Sequence, residues 1–359
     1  MITKSVAEIN KYVGSSVNPM TTPDQIYELY SVPSFESGSP EIVSGADIGS
    51  TKVVVEDGDI LICKINPRIN RVWVVHHNTE YPLLASSEWI VVRNATMNSD
   101  YLKWYFSSPI FHTLLTSQVT GIGGSLTRAQ PKQVAKYPVP IPSRDEQDYV
   151  ANILTCIDNL IRKYQQCIIS IDQLVKSRFI ELFGDPVINP KGFPCYTVGE
   201  VIDFQGGSQP DKKYFEYEAS PDNIRLIQIR DYKSDKYITY IPKTMAKRFC
   251  TADDIMIGRY GPPIFQILKG IEGSFNVALM KATPKMGNRE FVRQFLKQDC
   301  LLEYLEGLSK RTAGQDGIQM DKLKAYPFPY PPMELQEQFA AFVEQTDKSK
   351  LCGKMEVAA

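Results

Sequence analysis

The sequence predicts a mixed α/β (α+β) chain in which two similar globular domains are separated by a long heptad helix. Three observations carry this. Residues 144–183 contain neither Pro nor Gly and hold apolar residues in heptad rows. Strand-like and helix-like segments recur in the same order on either side of that stretch. Finally, PIPSRDEQDYVA at 140–151 matches PYPPMELQEQFA at 329–340 with an offset of 189, pairing Gln147 with Gln336 and Ala151 with Ala340. So long a period marks a duplicated domain plus helix, since solenoid repeats run about 20–50 residues.

The first domain is expected over residues 1–143. Strand signals lie at 30–33, 53–55, 60–65, 72–75 and 89–92, where β-branched and aromatic residues cluster between turn residues. Residues 98–115 read as helical, with Pro109 marking a break or a second start. Residues 121–124 are a glycine loop, and 139–142 an extended lead-in.

The long helix is expected over 144–183. Its seam is Val150, Ile153, Ile157, Leu160, Tyr164, Ile168, Ile171 and Leu174, which needs a partner helix. Ser143 is a candidate N-cap, with Glu146 three residues on completing a capping box. Gly184 and Pro186 stop the helix. At about 1.5 Å per residue, Val150 to Leu182 spans roughly 50 Å. A core helix of a bundle is the alternative, but no other segment of comparable length and period exists to bundle with it.

Residues 184–332 are expected to form the second domain. A β-rich run at 196–201, strands at 224–229 and 275–280, and a strand entry at 252–259 repeat the earlier order. A helical stretch at 289–308 and a glycine loop at 314–317 follow. Residues 333–359 read as a second, shortened helix and tail, with Phe339 and Val343 on its seam; past Thr346 the apolar pattern dissolves.

A chain of 359 residues has room for two domains, and 43% hydrophobic with 23% charged residues is ordinary for a globular protein. No apolar run follows the N-terminal lysines and no window holds 18 apolar residues, so neither a signal peptide nor a membrane-spanning helix is expected. Seven scattered cysteines without a C-x-x-C argue against a disulfide framework or zinc site, and for a reducing, cytoplasmic setting. A net charge of −1 counts against a simple nucleic-acid-coating protein but leaves room for a local basic face.

No catalytic, cofactor or metal site is expected. Asn66-Pro67-Arg68 and Asn189-Pro190-Lys191 lack the second Pro and the aromatic residue of an adenine methyltransferase motif. The glycines at 121–124 follow a helix and do not lie between a strand and a helix, so they read as a loop and not a phosphate cradle, and those at 206–207 and 258–261 fail the P-loop spacing. His76 and His77 are adjacent at a strand end and point to opposite faces, so they do not share a metal easily. With His112 they are the three histidines of the chain, and no Ser-His-Asp or Cys-His set is supported.

In this order the chain resembles the specificity subunit of type I restriction-modification enzymes. The resemblance rests on the helix starts at Pro140 to Gln147 and Pro329 to Gln336, the intervening heptad helix with its exit Leu182-Phe183-Gly184-Asp185-Pro186, and the strand entries at Asp57 to Ile60 and Asp253 to Ile255. It covers nearly the whole chain. It implies that each globular part is a target recognition domain reading one part of a split site in double-stranded DNA. It implies that the helices pair antiparallel as a coiled coil, act as a ruler and dock modification (methyltransferase) subunits, two of them. Restriction (endonuclease/translocase) subunits join through that complex, and the specificity subunit itself does no chemistry. The short second helix departs from the pattern: about half of the partner seam is missing, so the chain is either a truncated or frame-shifted, partly active or inactive allele, or another chain supplies the missing seam.

Base reading needs side chains that reach base edges, supported by phosphate contacts: Arg pairs with guanine, Asn or Gln with adenine. The candidates in the first domain are Lys64, Arg68, Asn70 and Arg71, then Arg128, Gln130 and Lys132 after the glycine loop. In the second domain they are Gln228, Arg230, Lys233, Arg259 and Tyr260, with Arg311 and Gln315 by the second glycine loop. The competing readings are a standalone DNA methyltransferase or nuclease, separated by cofactor binding to the isolated chain, and a non-DNA coiled-coil scaffold, separated by salt-dependent DNA binding.

Overall fold

A computed structural model describes residues 2–120, 127–260, 264–309 and 318–358. The chain divides into two compact units, residues 1–162 and 163–359.

In the first unit five strands pair in the order Ser16–Val17, Lys52–Val54, Leu83–Ala85, Ile26–Tyr30, Glu41–Ser44. Ile26–Tyr30 and Leu83–Ala85 run parallel and the other pairs antiparallel. A three-stranded antiparallel sheet places Ile60–Cys63 between Val72–Val74 and Trp89–Val92. Ile60–Cys63 is buried at every residue, and the strand alternation sends its side chains into two cores. Ile60 and Ile62 pack with Leu102, Phe106 and Phe111 of the helices Ser99–Ser107 and Pro109–Ser117. Leu61 and Cys63 pack with Tyr30, Leu83 and Trp89. Pro109 opens the second of those helices at a position where its missing N–H costs nothing.

The second unit repeats the plan. Ile255–Gly258 lies between Gln266–Lys269 and Leu279–Pro284, which also pairs with Ile202–Gly206. Ile255 and Ile257 enter a core with Phe291, Phe295 and Phe328, while Met256 faces Ile227 and Phe275. The parallel pair recurs as Asn223–Ile227 beside Gly273–Phe275.

Several local expectations are corrected. At 30–33 the strand is Ile26–Tyr30, because Pro33 opens the 3-10 turn Pro33–Ser37. At 196–201 only Cys195–Thr197 is strand; a capping box between Thr197 and Glu200 turns Val198–Val201 into helix. At 275–280 the strand is broken: Asn276 Oδ1 accepts from the Ala278 N–H at 3.1 Å, and the chain restarts as Leu279–Pro284. The expected helix over 289–308 is two, Arg289–Leu296 and Asp299–Ser309. Glu41–Ser44 and Leu83–Ala85 are strands that local composition did not announce. The glycine loops at 121–124 and 314–317 lie outside the described residues.

Arg144–Phe183 is one helix. It begins at a capping box in which Glu146 accepts from the Ser143 N–H and hydroxyl, both at 2.9 Å. It ends at Gly184, in the left-handed region with φ +78°, whose N–H bonds to Ile180 at 2.7 Å. Within the first unit Gln147 and Ala151 are buried, and Trp104 Nε1 donates to Thr155 Oγ1 at 3.1 Å.

Within the second unit the end of this helix pairs antiparallel with the C-terminal helix Met333–Ala358. Phe179 and Phe183 meet Phe339 edge-on at 5.5 and 5.4 Å, and Asp172 bonds Lys350 at 2.5 Å. The covered row is Val175, Phe179 and Phe183, with Val343 opposite; Leu174 is 51% exposed. The C-terminal helix runs past Thr346, where apolar spacing stops. Charge pairs support it there: Lys348 with Glu344 at 2.8 Å and Asp347 with Lys269 at 2.6 Å.

Candidate nucleic-acid interface

The structure gathers the first unit's candidates from two segments that lie far apart in sequence. Lys64 follows the buried strand Ile60–Cys63, and its carbonyl accepts from Ala129 N–H at 2.8 Å. The Asn66 N–H donates to Thr127 O at 2.8 Å, and Ile65 bridges Arg128. Asn66 sits at φ +46°, a conformation Asn tolerates, and this turns the loop back on itself. The loop carrying Lys64 to Arg71 and the segment carrying Arg128 therefore form one surface.

Roles within that surface differ. Arg68 and Lys132 are exposed. Arg128 is half exposed and pairs with Glu88 at 3.1 Å. Arg71 is mostly covered and bonds Glu36 at 3.2 Å, which fixes the loop's end. Asn70 donates to Ser107 O at 3.0 Å and satisfies a carbonyl at the end of the helix Ser99–Ser107. Asn70 therefore positions the loop, whereas Arg68 reaches outward. Gln130 stands at the N-cap position of the helix Pro131–Val134. His112 Nε2 lies 3.0 Å from Pro67 O and holds the same loop from below.

In the second unit Gln228 and Arg230 follow the strand Asn223–Ile227, and Arg259 and Tyr260 follow Ile255–Gly258. The loop Asn276–Ala278 joins them: Asn276 N–H donates to Ile227 O at 3.0 Å and Arg259 N–H to Ala278 O at 2.9 Å. The Gly206-Gly207-Ser208 segment lies against that loop. A Cβ on Gly207 would stand 1.9 Å from Asn276 O, so only glycine fits. Gln228 Nε2 and Arg230 Nη2 both donate to Thr239 Oγ1, at 3.1 and 3.0 Å, and Thr239 is fully buried. One hydroxyl thus aims two candidate readers. Beneath them burial pushes the Asp231 carboxyl above its ordinary value, against hydrogen bonding from Gln228 and the charges of Arg225 and Arg230. Arg259 lies over the Tyr260 ring at 5.3 Å, and Lys233 is exposed. Arg311 and Gln315 lie outside the described residues.

Of the seam residues, Phe339 and Val343 are buried, Tyr164, Ile168 and Ile171 are half-buried, and Val150, Ile153, Ile157, Leu160 and Leu174 are exposed.

Two features had no prominence in the sequence. Glu28 is fully buried in the strand Ile26–Tyr30, and Asn78 Nδ2 and Thr79 Oγ1 donate to it at 2.9 and 2.8 Å. It clips the loop after His76 to the sheet; His77 N–H is held by Asp57 at 2.9 Å. A cleft of about 490 Å³ is lined by Tyr217, Tyr237, Tyr240, Arg230 and Lys236. Tyrosines set beside charged residues in 211–218 and 235–240 were the available signal. Among the described residues no group of three or more His, Cys, Asp or Glu side chains is placed to hold a metal ion, and no helix is long and apolar enough to cross a membrane.

Comparison with known proteins fits this architecture. Residues 190–353 match the model of the type I restriction modification DNA specificity domain. The type I restriction enzyme MjaVIII specificity subunit of Methanocaldococcus jannaschii is 22% identical over 329 residues, covering 84% of this chain and 75% of that protein. The MjaX specificity subunit assigned to the same organism is 22% identical over 339 residues, covering 86% and 76%. Two solved structures share the fold. The S subunit of a type I restriction-modification system from M. genitalium aligns with a TM-score of 0.55 at 14% identity, covering 99% of this chain and 92% of its own. A chain solved in work on assembly and conformational transition of the type I R-M system aligns with a TM-score of 0.52 at 18% identity, with the same coverage. Residues 190–353 thus match a type I restriction modification DNA specificity domain, and in its duplicated plan the whole chain is similar to type I restriction enzyme specificity subunits.

Proposed function

We propose that this chain is the DNA-sequence-recognition subunit of a type I restriction-modification enzyme and carries out no reaction itself. Residues 1–143 and 184–332 are two target recognition domains, each reading one half of a split site in double-stranded DNA. The helix of residues 144–183 sets the spacing between half-sites, and with the shorter helix of residues 333–359 it offers docking surfaces for two modification subunits. Restriction subunits join through that complex, in the cytoplasm.

The observation that carries this reading is the duplication with divergent tips. Both units use the same buried glutamine to fix the helix start, Gln147 on Asn98 N–H at 2.9 Å and Gln336 on Asn288 N–H at 2.8 Å. Their candidate residues differ: Lys64, Arg68 and Arg128 in one, Gln228, Arg230 and Arg259 in the other. Equal scaffolds with unequal tips read unequal sequences, so the site is asymmetric. A helix of roughly 50 Å has the length of about 15 base pairs of duplex.

The test is co-expression with the cognate modification subunit followed by methylome sequencing. Adenine methylation at a split, asymmetric motif that disappears without this chain is the expected result. Methylation that is absent, or independent of the chain, overturns the reading.

A further inference from the structure

The cleft lined by Tyr217, Tyr237, Tyr240, Arg230 and Lys236 is a built feature of the second unit. Glu216 and Tyr240 exchange both backbone hydrogen bonds, at 2.9 and 2.8 Å, which sets Tyr217 beside Tyr240. Glu216 is itself anchored, accepting from Asn223 Nδ2 at 2.6 Å. Tyr237 ends a 3-10 turn capped by Ser234. Despite this support the rings are offered outward, Tyr217 at 72% and Tyr237 at 58% exposure. Tyrosine is enriched at interfaces, where its apolar face and its hydroxyl can both find partners.

The charges decide what the cleft takes. Arg230 and Lys236 lie over the Tyr237 ring, at 5.9 and 5.3 Å from its centroid. A cationic guest, such as a methylated ammonium, would compete with these two cations and be repelled by them. The single acid of the cleft, Asp235, is already paired with Arg225 at 3.0 Å. What remains is a flat aromatic surface beside two positive charges. That combination suits a planar, neutral heterocycle joined to an anion, which is the chemistry of a nucleotide.

We infer that this cleft receives one unstacked nucleotide of the DNA strand, its base against the exposed tyrosines and its phosphate between Arg230 and Lys236. The inference rests on the DNA-recognition reading above and adds a contact of a different kind. A base held by stacking is taken largely irrespective of its identity, so the cleft grips a nucleotide and does not read it. Thr239, which aims Arg230, becomes a positioning residue for this contact.

The probe is a twelve-nucleotide oligothymidylate carrying 5-iodouracil, which photocross-links to aromatic rings it stacks on, used with the full chain assembled on its modification subunits. Cross-linking to Tyr217 or Tyr237 is expected. Tyr237→Ala is expected to weaken oligonucleotide binding about 10-fold, in line with stacking losses at other single-strand sites. Tyr237→Phe keeps the ring and should bind as the parent does, which separates stacking from misfolding. Unchanged binding by Tyr237→Ala and Tyr217→Ala, or cross-links confined to other residues, overturns the inference. Displacement of the oligonucleotide by deoxythymidine monophosphate at matched nucleotide concentration also overturns it, because the source would then be a free nucleotide and not a strand. If the split methylation motif is present while these results fail, the cleft assignment falls and the subunit reading stands; if the motif is missing, the reading itself falls.

Discussion

Gln336 accepts a 2.8 Å hydrogen bond from the Asn288 backbone N–H, tying the first turn of the C-terminal helix to the start of the helix Arg289–Leu296. Its amide donates at 2.7 Å to Pro331 O, and the side chain is fully buried. Gln147 makes the same two bonds in the first unit, to Asn98 N–H at 2.9 Å and Pro142 O at 3.0 Å. One buried residue type thus satisfies a donor and an acceptor at both joints between domain and helix.

Replacing Gln336 with Ala leaves the buried Pro331 carbonyl and the part-buried Asn288 N–H without their partner, which costs about 1–3 kcal/mol for a group that stays shielded from water. The second unit should unfold at lower denaturant, and the Asn288 amide should lose hydrogen-exchange protection. Retained protection at Asn288 would refute the assignment.

The aromatic cluster at the helix pair is expected to dominate the second unit's stability. Phe179 stacks on Phe291 at 5.7 Å and meets Phe339 at 5.5 Å. Phe179→Ala should cost about 3–5 kcal/mol. Leu174→Ala, at an exposed neighbouring position, should cost under about 0.5 kcal/mol. Chemical denaturation monitored on the second unit distinguishes the two.

Gly207→Ala places a methyl group 1.9 Å from Asn276 O, which belongs to the loop shared by Gln228 and Arg259. Backbone cannot yield there without breaking the Ser208 N–H bond to Phe275 O at 3.1 Å. The variant should lose the second unit's fold, while Gly49→Ala, with nothing within 4 Å, should melt as the parent does. Circular dichroism of the two variants is the measurement.

The capping box at Ser143 should impose a pH dependence. Hydrogen bonds from the Ser143 backbone and hydroxyl hold the Glu146 carboxyl below its ordinary value of 4.5. A depressed folded value means the stabilisation is in place above that ordinary value and is lost as pH falls through the depressed one. Ser143→Ala removes the hydroxyl's share, so the Glu146 titration should move up toward 4.5. Carboxyl titration by NMR on both proteins checks the sign.

Arg68 and Arg71 should separate in DNA binding. Arg68 is exposed, so Arg68→Ala should weaken binding to all sequences and reduce the salt slope by about 1. Arg71 is held by Glu36 at 3.2 Å, so Arg71→Ala should act through loop position, and Glu36→Gln should partly reproduce it. Salt-titrated binding of the assembled complex tests both.

By itself the sequence determined the long helix, its capping box, its stop at Gly184 and the duplication that pairs Gln147 with Gln336. These are legible because helical contacts fall three or four residues apart and a duplicated order needs no coordinates to be seen. Tertiary structure alone decided which row of the helix is covered, Val175 with Phe179 and Phe183, because the choice depends on where Phe339 arrives from another part of the chain. It decided that Lys64 to Arg71 share a surface with Arg128, that Asn70 secures a helix end, and that three scattered tyrosines form one cleft. Strand pairing and loop closure bring together residues that have no local reason to meet, and a one-dimensional pattern carries no record of such meetings.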